Sequence, residues 1–84
     1  MTLEQVRPGR SARIVAIDGG HGVQGRLRQM GIHPGDIVLV RSSGAFRGPL
    51  LVDVHGCRVA VGRGIARRIT VEPIARSEAA GARG

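Results

Sequence analysis

The stretch that decides the fold is Leu27-Arg28-Gln29-Met30-Gly31-Ile32-His33-Pro34-Gly35-Asp36. Leu27 and Met30 continue an apolar stripe that begins at Val23, which is the spacing of one helix face. Gly31 stands where a helix commonly ends in a left-handed residue, a conformation that glycine enters without a Cβ clash. Pro34 cannot continue a helix and favours extended geometry in the residue before it. The stretch therefore predicts the end of a short helix and the start of a strand.

Short β segments surround this junction. We predict strands over residues 10–18, 37–41, 50–54, 57–61 and 67–72, and one helix over residues 21–30. His55-Gly56 has the length of a two-residue hairpin loop, in which type I′ turns need positive φ. Apolar residues alternate on both sides of that loop, so the inward positions are Leu50, Val52, Val54, Cys57, Val59 and Val61. Five short strands with close turns predict a mainly β fold, a small five-stranded barrel with one short helix between strands 1 and 2.

The size and composition of the chain limit its class. With 84 residues it forms one domain, which we assign to residues 1–74, followed by a flexible C-terminal tail over residues 75–84. No run approaches the ~18 apolar residues of a membrane span, so we expect no membrane insertion. The single cysteine excludes an internal disulfide and suits a reducing compartment. We therefore expect a cytoplasmic protein.

The formal net charge is +7, and every basic residue is arginine. Such a charge permits binding to nucleic acid, acidic protein surfaces or anionic lipid, but it also describes an ordinary solvated surface. Binders of single-stranded nucleic acid combine basic residues with stacking aromatics, and this chain has one phenylalanine and neither tryptophan nor tyrosine. We therefore do not expect nucleic acid as a partner.

A series of short motifs follows the junction in a fixed order. They are Val38-Leu39-Val40-Arg41, Gly48-Pro49, Val52-x-Val54-x-Gly56-x-Arg58-x-Ala60-Val61 and Ala66-x-x-Ile69-x-Val71. Together with residues 26–36 they resemble the FeoA family of ferrous iron transport proteins over roughly residues 1–74. The resemblance implies an SH3-like barrel and a small cytosolic accessory protein that contacts a FeoB-type membrane GTPase transporter.

Two alternatives to that function remain. The same fold occurs as the metal-sensing C-terminal module of DtxR-type repressors, although no DNA-binding segment precedes the barrel here. A stand-alone small barrel that binds nucleic acid is the other alternative. Catalysis is not expected, because the carboxylates are scattered singly and the chain has neither a nucleophile elbow nor a phosphate-binding loop with lysine.

Partner contacts are expected at one loop and on the outer surface of the helix. Phe46 lies in the middle of a glycine-bearing loop, so it either covers the open end of the barrel or docks on a partner or a second copy of the chain. The sequence therefore permits a homodimer. We assign partner binding to Phe46, Arg47, Gly48, Pro49, Arg28, Gln29 and His33.

Metal binding is limited by the number of donors. His55 and Cys57 offer two ligands across a turn, whereas zinc or ferrous iron needs three or four converging groups. The hairpin interpretation also places Cys57 inward. We predict no firm cofactor and at most weak binding of a transition metal, Fe or Zn, at these two residues.

Overall fold

The computed structural model describes residues 1–44 and 48–74, so the predicted tail, residues 75–84, lies outside the described residues. Its elements are a 3₁₀ turn (Leu3–Gln5), β1 (Ser11–Ile17), α1 (His21–Gln29), β2 (Ile37–Ser43), β3 (Leu50–Val54), β4 (Cys57–Val61), α2 (Arg63–Ala66) and β5 (Ile69–Pro73). The predicted strands and the helix between the first two are confirmed. The short segment after β4, Arg63–Ala66, forms a single α-helical turn.

The five strands form one antiparallel sheet in the order β4-β3-β2-β1-β5. Two bulges interrupt its ladders, one at Val15 between β1 and β5 and one at Arg41 between β2 and β3. A bulge bends its strand and increases the local twist, so the sheet curls around a single core. β4 and β5 are the outer strands, and α2 connects them. The mainly β prediction is therefore confirmed.

The core consists of aliphatic side chains from the strands, α1 and the N-terminal segment. The largest fully buried side chains are Leu3, Ile14, Leu27, Ile32, Leu50, Ile69, Val38, Val40, Val52 and Val61. Within residues 1–44 and 48–74 no charged or polar residue is buried. All charged groups of the described chain thus remain at the surface, where they are available for ion pairs or for partners.

The junction after α1 folds as the sequence predicts. The N–H of Gly31 donates to the carbonyl of Arg28 at 3.0 Å, and the N–H of Ile32 donates to the carbonyl of Leu27 at 2.9 Å. Gly31 has a φ of 81°. This pair of hydrogen bonds around a left-handed glycine is the Schellman motif, and buried Leu27 and Ile32 supply its usual hydrophobic contact.

The hairpin between β3 and β4 is confirmed in its turn but not in its inward pattern. His55 and Gly56 have φ angles of 53° and 76°, as a type I′ turn requires. Cys57, however, is exposed, Val59 is half-buried, and Val61 is fully buried. Cys57 shares the strand face of Val59 and Val61 and pairs with Val54, but the prediction that it is an inward core residue is wrong, because it is exposed. β4 is an edge strand, and its first residues lie at the hairpin end, where the core no longer covers them.

Candidate functional site

A groove between β1 and α1 contains two of the predicted contact residues. It encloses about 330 Å³ and is lined by Val15, Ala16, Ile17, Gln24, Arg28, Ile32, His33 and Pro34. We call it the helix–strand groove. Its walls combine aliphatic side chains with a guanidinium group and an imidazole. A surface of this kind suits a protein contact, since interfaces place apolar groups beside a polar rim.

Local backbone geometry positions the side chains of this groove. Val15 is the extra residue of the β1 bulge and is 50% exposed. It follows inward Ile14 on the outward side of the strand, and after the bulge Ala16 is exposed as well. Arg28 lies in the last turn of α1, where a cation interacts favourably with the helix C-terminus. His33 follows the Schellman motif, so the end of the helix determines its place.

The loop that begins at His33 is held to the β3–β4 turn by a single carboxylate. The backbone N–H of His33 donates to Oδ2 of Asp36 at 2.7 Å, and Nδ1 of the same imidazole lies 3.5 Å from that oxygen. Nε2 of His55 lies 2.9 Å from Oδ1 of Asp36. We call His33, Asp36 and His55 the carboxylate cluster. It joins two segments that are separated in the chain by two strands, β2 and β3.

The environment of the cluster lowers the pKa of Asp36 below its ordinary value of 3.8. Partial burial is the largest single influence and acts in the opposite direction, because it disfavours the charged form. The backbone hydrogen bond from His33, the hydrogen bond from His55 and the charges of both imidazoles together outweigh it. Asp36 is therefore held as a carboxylate that accepts bonds from two directions.

The other predicted contact residues lie apart from the helix–strand groove or outside the described chain. Phe46 and Arg47 lie outside the described residues. Gly48 is half-buried and Pro49 is exposed, and neither lines the groove. Gln29 is exposed at the end of α1 without lining it. Of the described candidates, the structure thus brings Arg28 and His33 together in one groove.

Arg63 holds both ends of the loop that contains Phe46. Its Nε donates to the carbonyl of Gly48 at 3.0 Å, and its Nη2 donates to Oγ of Ser43 at 2.6 Å and to the carbonyl of Gly44 at 3.3 Å. This role was not predicted from the sequence. No local signal reveals it, because its partners lie 15 to 20 residues away along the chain.

The weak metal contact predicted for His55 and Cys57 stays a prediction. Nε2 of His55 is already engaged by Asp36, and Cys57 is exposed on the edge strand. Among residues 1–44 and 48–74, no group of three or more histidine, cysteine, aspartate or glutamate side chains is placed to hold a metal ion. The described residues therefore do not fit a structural zinc or iron centre.

The helices of the described chain were compared with the length and apolarity of a membrane-spanning helix. None of them combines sufficient length with sufficient apolarity to span a membrane.

Comparison with known proteins identifies relatives over nearly the whole described chain. The FeoA domain model matches residues 1–73. A Methanocaldococcus jannaschii protein named for Fe(2+) transport (transport protein A) is 34% identical over 71 residues, which cover 83% of each chain. The domain match extends from the N-terminal segment through the junction and the hairpin.

Solved structures of FeoA proteins share the fold. The crystal structure of an iron uptake regulatory protein, FeoA, superposes with a TM-score of 0.80 at 35% identity, covering 88% of this chain and 96% of that one. The zinc complex of Stenotrophomonas maltophilia FeoA, described as a prokaryotic SH3 domain protein, gives a TM-score of 0.73 at 30% identity over 86% of this chain and 89% of that one. The SH3-like prediction is thereby confirmed.

Proposed function

This chain belongs to the FeoA family of ferrous iron transport accessory proteins, and on that premise we propose that it contacts the cytosolic region of a FeoB-type membrane GTPase transporter. The observation that carries the proposal is the family match over residues 1–73. A protein with this role acts in the cytoplasm by protein–protein contact. Ferrous iron is then the cargo of the transporter, and metal contact by His55 and Cys57 is weak.

The helix–strand groove is the contact surface that we propose. Val15 supplies exposed apolar area beside Arg28 and His33. Exposed apolar side chains gain most when a partner removes them from water, and the charged rim gives orientation. The carboxylate cluster supports this surface, because the hydrogen bond from His33 to Asp36 fixes the loop at one wall of the groove.

The loop from Phe46 to Pro49 is a second contact region in the proposal. Arg63 supports it by donating to the carbonyls of Gly44 and Gly48, which flank residues 45–47. Anchored ends reduce the conformational entropy that a loop loses on binding. A second copy of the chain is the alternative occupant of this region.

Binding of the purified cytosolic region of the transporter tests the proposal. Val15→Asp places a charge in the groove and should weaken the affinity by roughly tenfold or more. Ile37→Asp is the matched control, because Ile37 is also a strand residue exposed by 47% but does not line the groove. Phe46→Ala examines the loop separately. Isothermal titration calorimetry measures all three affinities.

The proposal fails if the unaltered protein does not bind the cytosolic region. Equal weakening by Val15→Asp and Ile37→Asp would remove the contact from the helix–strand groove while leaving the partner in place. An affinity unchanged by Phe46→Ala would remove Phe46 from the interface. A change of oligomeric state in Phe46→Ala, measured by light scattering, would assign the loop to a homodimer.

A further inference from the structure

A second open groove lies between the C-terminal half of α1 and the segment around α2. It encloses about 590 Å³ and is lined by Arg26, Gly62, Gly64, Ile65, Arg67 and Arg68. We call it the arginine groove. The fold creates it, because Arg26 is about forty positions from the other two arginines in the sequence. All three arginines are exposed, and Ile65 contributes a half-buried apolar surface between them.

The arginines of this groove have no acidic partner in the described chain. The acidic groups that form ion pairs there are Glu4 with Arg63, Asp36 with two histidines, Asp53 with Arg41 and Arg58, and Glu72 with Arg13. Within residues 1–44 and 48–74, no carboxylate forms an ion pair with Arg26, Arg67 or Arg68. The groove is therefore a surface of uncompensated positive charge.

The backbone beneath these side chains is well anchored. The N–H of Asp18 donates to the carbonyl of Arg68 at 2.7 Å, which ties the segment after α2 to the end of β1. The N–H of Arg67 donates to the carbonyl of Arg63 at 3.1 Å and closes the turn of α2. A ligand that binds here orders the side-chain ends but not the chain, and this lowers the entropy cost of binding.

We infer that the arginine groove docks an acidic segment of a protein partner. Guanidinium groups bind carboxylates through two parallel N–H···O bonds, and three of them around one groove match a segment that carries several aspartates or glutamates. Ile65 adds apolar contact for the aliphatic parts of such a segment. The inference goes beyond the proposed contact at the helix–strand groove and does not depend on it.

Two other anionic ligands fit the groove less well. Single-stranded nucleic acid needs aromatic side chains for stacking, and the lining residues include none. An anionic lipid surface needs large exposed apolar side chains beside the cations. Those of the described chain are Met1, Val15 and Ile37, and none of them lines this groove.

The test measures the affinity of the full chain for a short fluorescent oligo-glutamate peptide. Replacing both Arg67 and Arg68 by glutamine should weaken binding by roughly tenfold, since each exposed ion pair contributes modestly and two are lost. The matched control replaces Arg7 and Arg10 by glutamine. Those arginines are also exposed and form no ion pair in the described chain, so the same net charge is removed elsewhere. The control should lose less than about twofold.

A second double variant distinguishes the effect of the positive charge from that of the guanidinium shape, and it keeps a charged residue at both surface positions. Replacing Arg67 and Arg68 by lysine keeps the charge but removes the planar fork, and it should cause an intermediate loss of affinity. Equal losses in the glutamine pair and the Arg7/Arg10 control would overturn the inference, because net charge alone would then explain binding. Absence of peptide binding by the unaltered chain would also overturn it.

Competing ligands serve as further arms of the same measurement. An oligo-thymidylate of similar charge and vesicles that contain phosphatidylglycerol are titrated under the same salt conditions. We expect both to bind more weakly than the peptide and to respond equally to the two glutamine pairs. If either of them bound more tightly than the peptide and lost affinity only in the Arg67/Arg68 glutamine variant, the inference would be overturned. That ligand, and not an acidic protein segment, would then be assigned to the groove.

Discussion

At the carboxylate cluster one acid faces two imidazoles, whereas at the arginine groove three guanidinium groups face no acid of the described chain. The cluster lies where a loop meets a hairpin turn, and each of its bonds joins or orders segments of the fold. The groove lies over a backbone that is already tied down by its own hydrogen bonds. The charges of the carboxylate cluster therefore contribute to the stability of the fold, whereas the charges of the arginine groove can bind a ligand.

Asp53 extends the pattern of the first region. It lies on β3 between two arginines, with Oδ1 3.1 Å from Nε of Arg58 on β4 and Oδ2 3.5 Å from Nε of Arg41 on β2. One carboxylate thus connects three neighbouring strands. The side chain of Asp53 is 28% exposed, however, against 15% for Asp36, so solvent screens its pairs more than it screens the bonds to Asp36.

The largest effect on stability should come from Asp36→Asn. The substitution removes the charge that accepts bonds from the His33 backbone and the His55 ring, and a hydrogen bond to a charged group contributes about 2 kcal/mol. The Arg67/Arg68 glutamine pair is the control and should change the free energy of unfolding by less than about 0.5 kcal/mol. Urea denaturation measures both. If the two variants lost the same free energy of unfolding, the carboxylate cluster would not differ from the arginine groove in its contribution to stability.

The second effect is a loss of stability in acid. The pKa of Asp36 is lower in the folded chain than its ordinary value of 3.8, so the unfolded chain binds this proton more readily. The contribution of Asp36 is complete above the unfolded pKa and is lost as the pH falls through the lowered folded value. We expect unfolding free energy to decline below pH 3.8 more steeply in the unaltered chain than in Asp36→Asn. Parallel declines would show that Asp36 is not the titrating group.

The smallest effect should come from Asp53→Asn. Exposed ion pairs contribute less than about 1 kcal/mol, and salt reduces them further. The loss of unfolding free energy should therefore shrink when sodium chloride is added, whereas the loss in Asp36→Asn should persist. Thermal unfolding at low and high salt measures the contrast. If the loss of stability in Asp53→Asn did not depend on salt, Asp53 and Asp36 would stabilise the fold in the same way and the contrast would fail.

Much of the candidate site was predictable where its cause is local. Arg28 and His33 were expected at a surface near the end of the helix, and the structure places both in one groove. Val15 was missed, because the groove that it lines forms only when α1 and the segment after it pack beside β1. Arg63 was missed because it donates to residues that lie two strands earlier in the chain, before β3 and β4.

The sequence by itself determined the helix end, the hairpin turn and the order of the elements. Gly31 and the His55-Gly56 pair act through their own backbone conformations, which need no distant partner. Only the tertiary structure decided which charges meet. Three features depend on strand register and sheet curvature: the bond between Asp36 and His55, the exposure of Cys57, and the position of Arg26 beside Arg67 and Arg68 in the arginine groove. These are set by the packing of the whole core, so no short stretch of the sequence contains them.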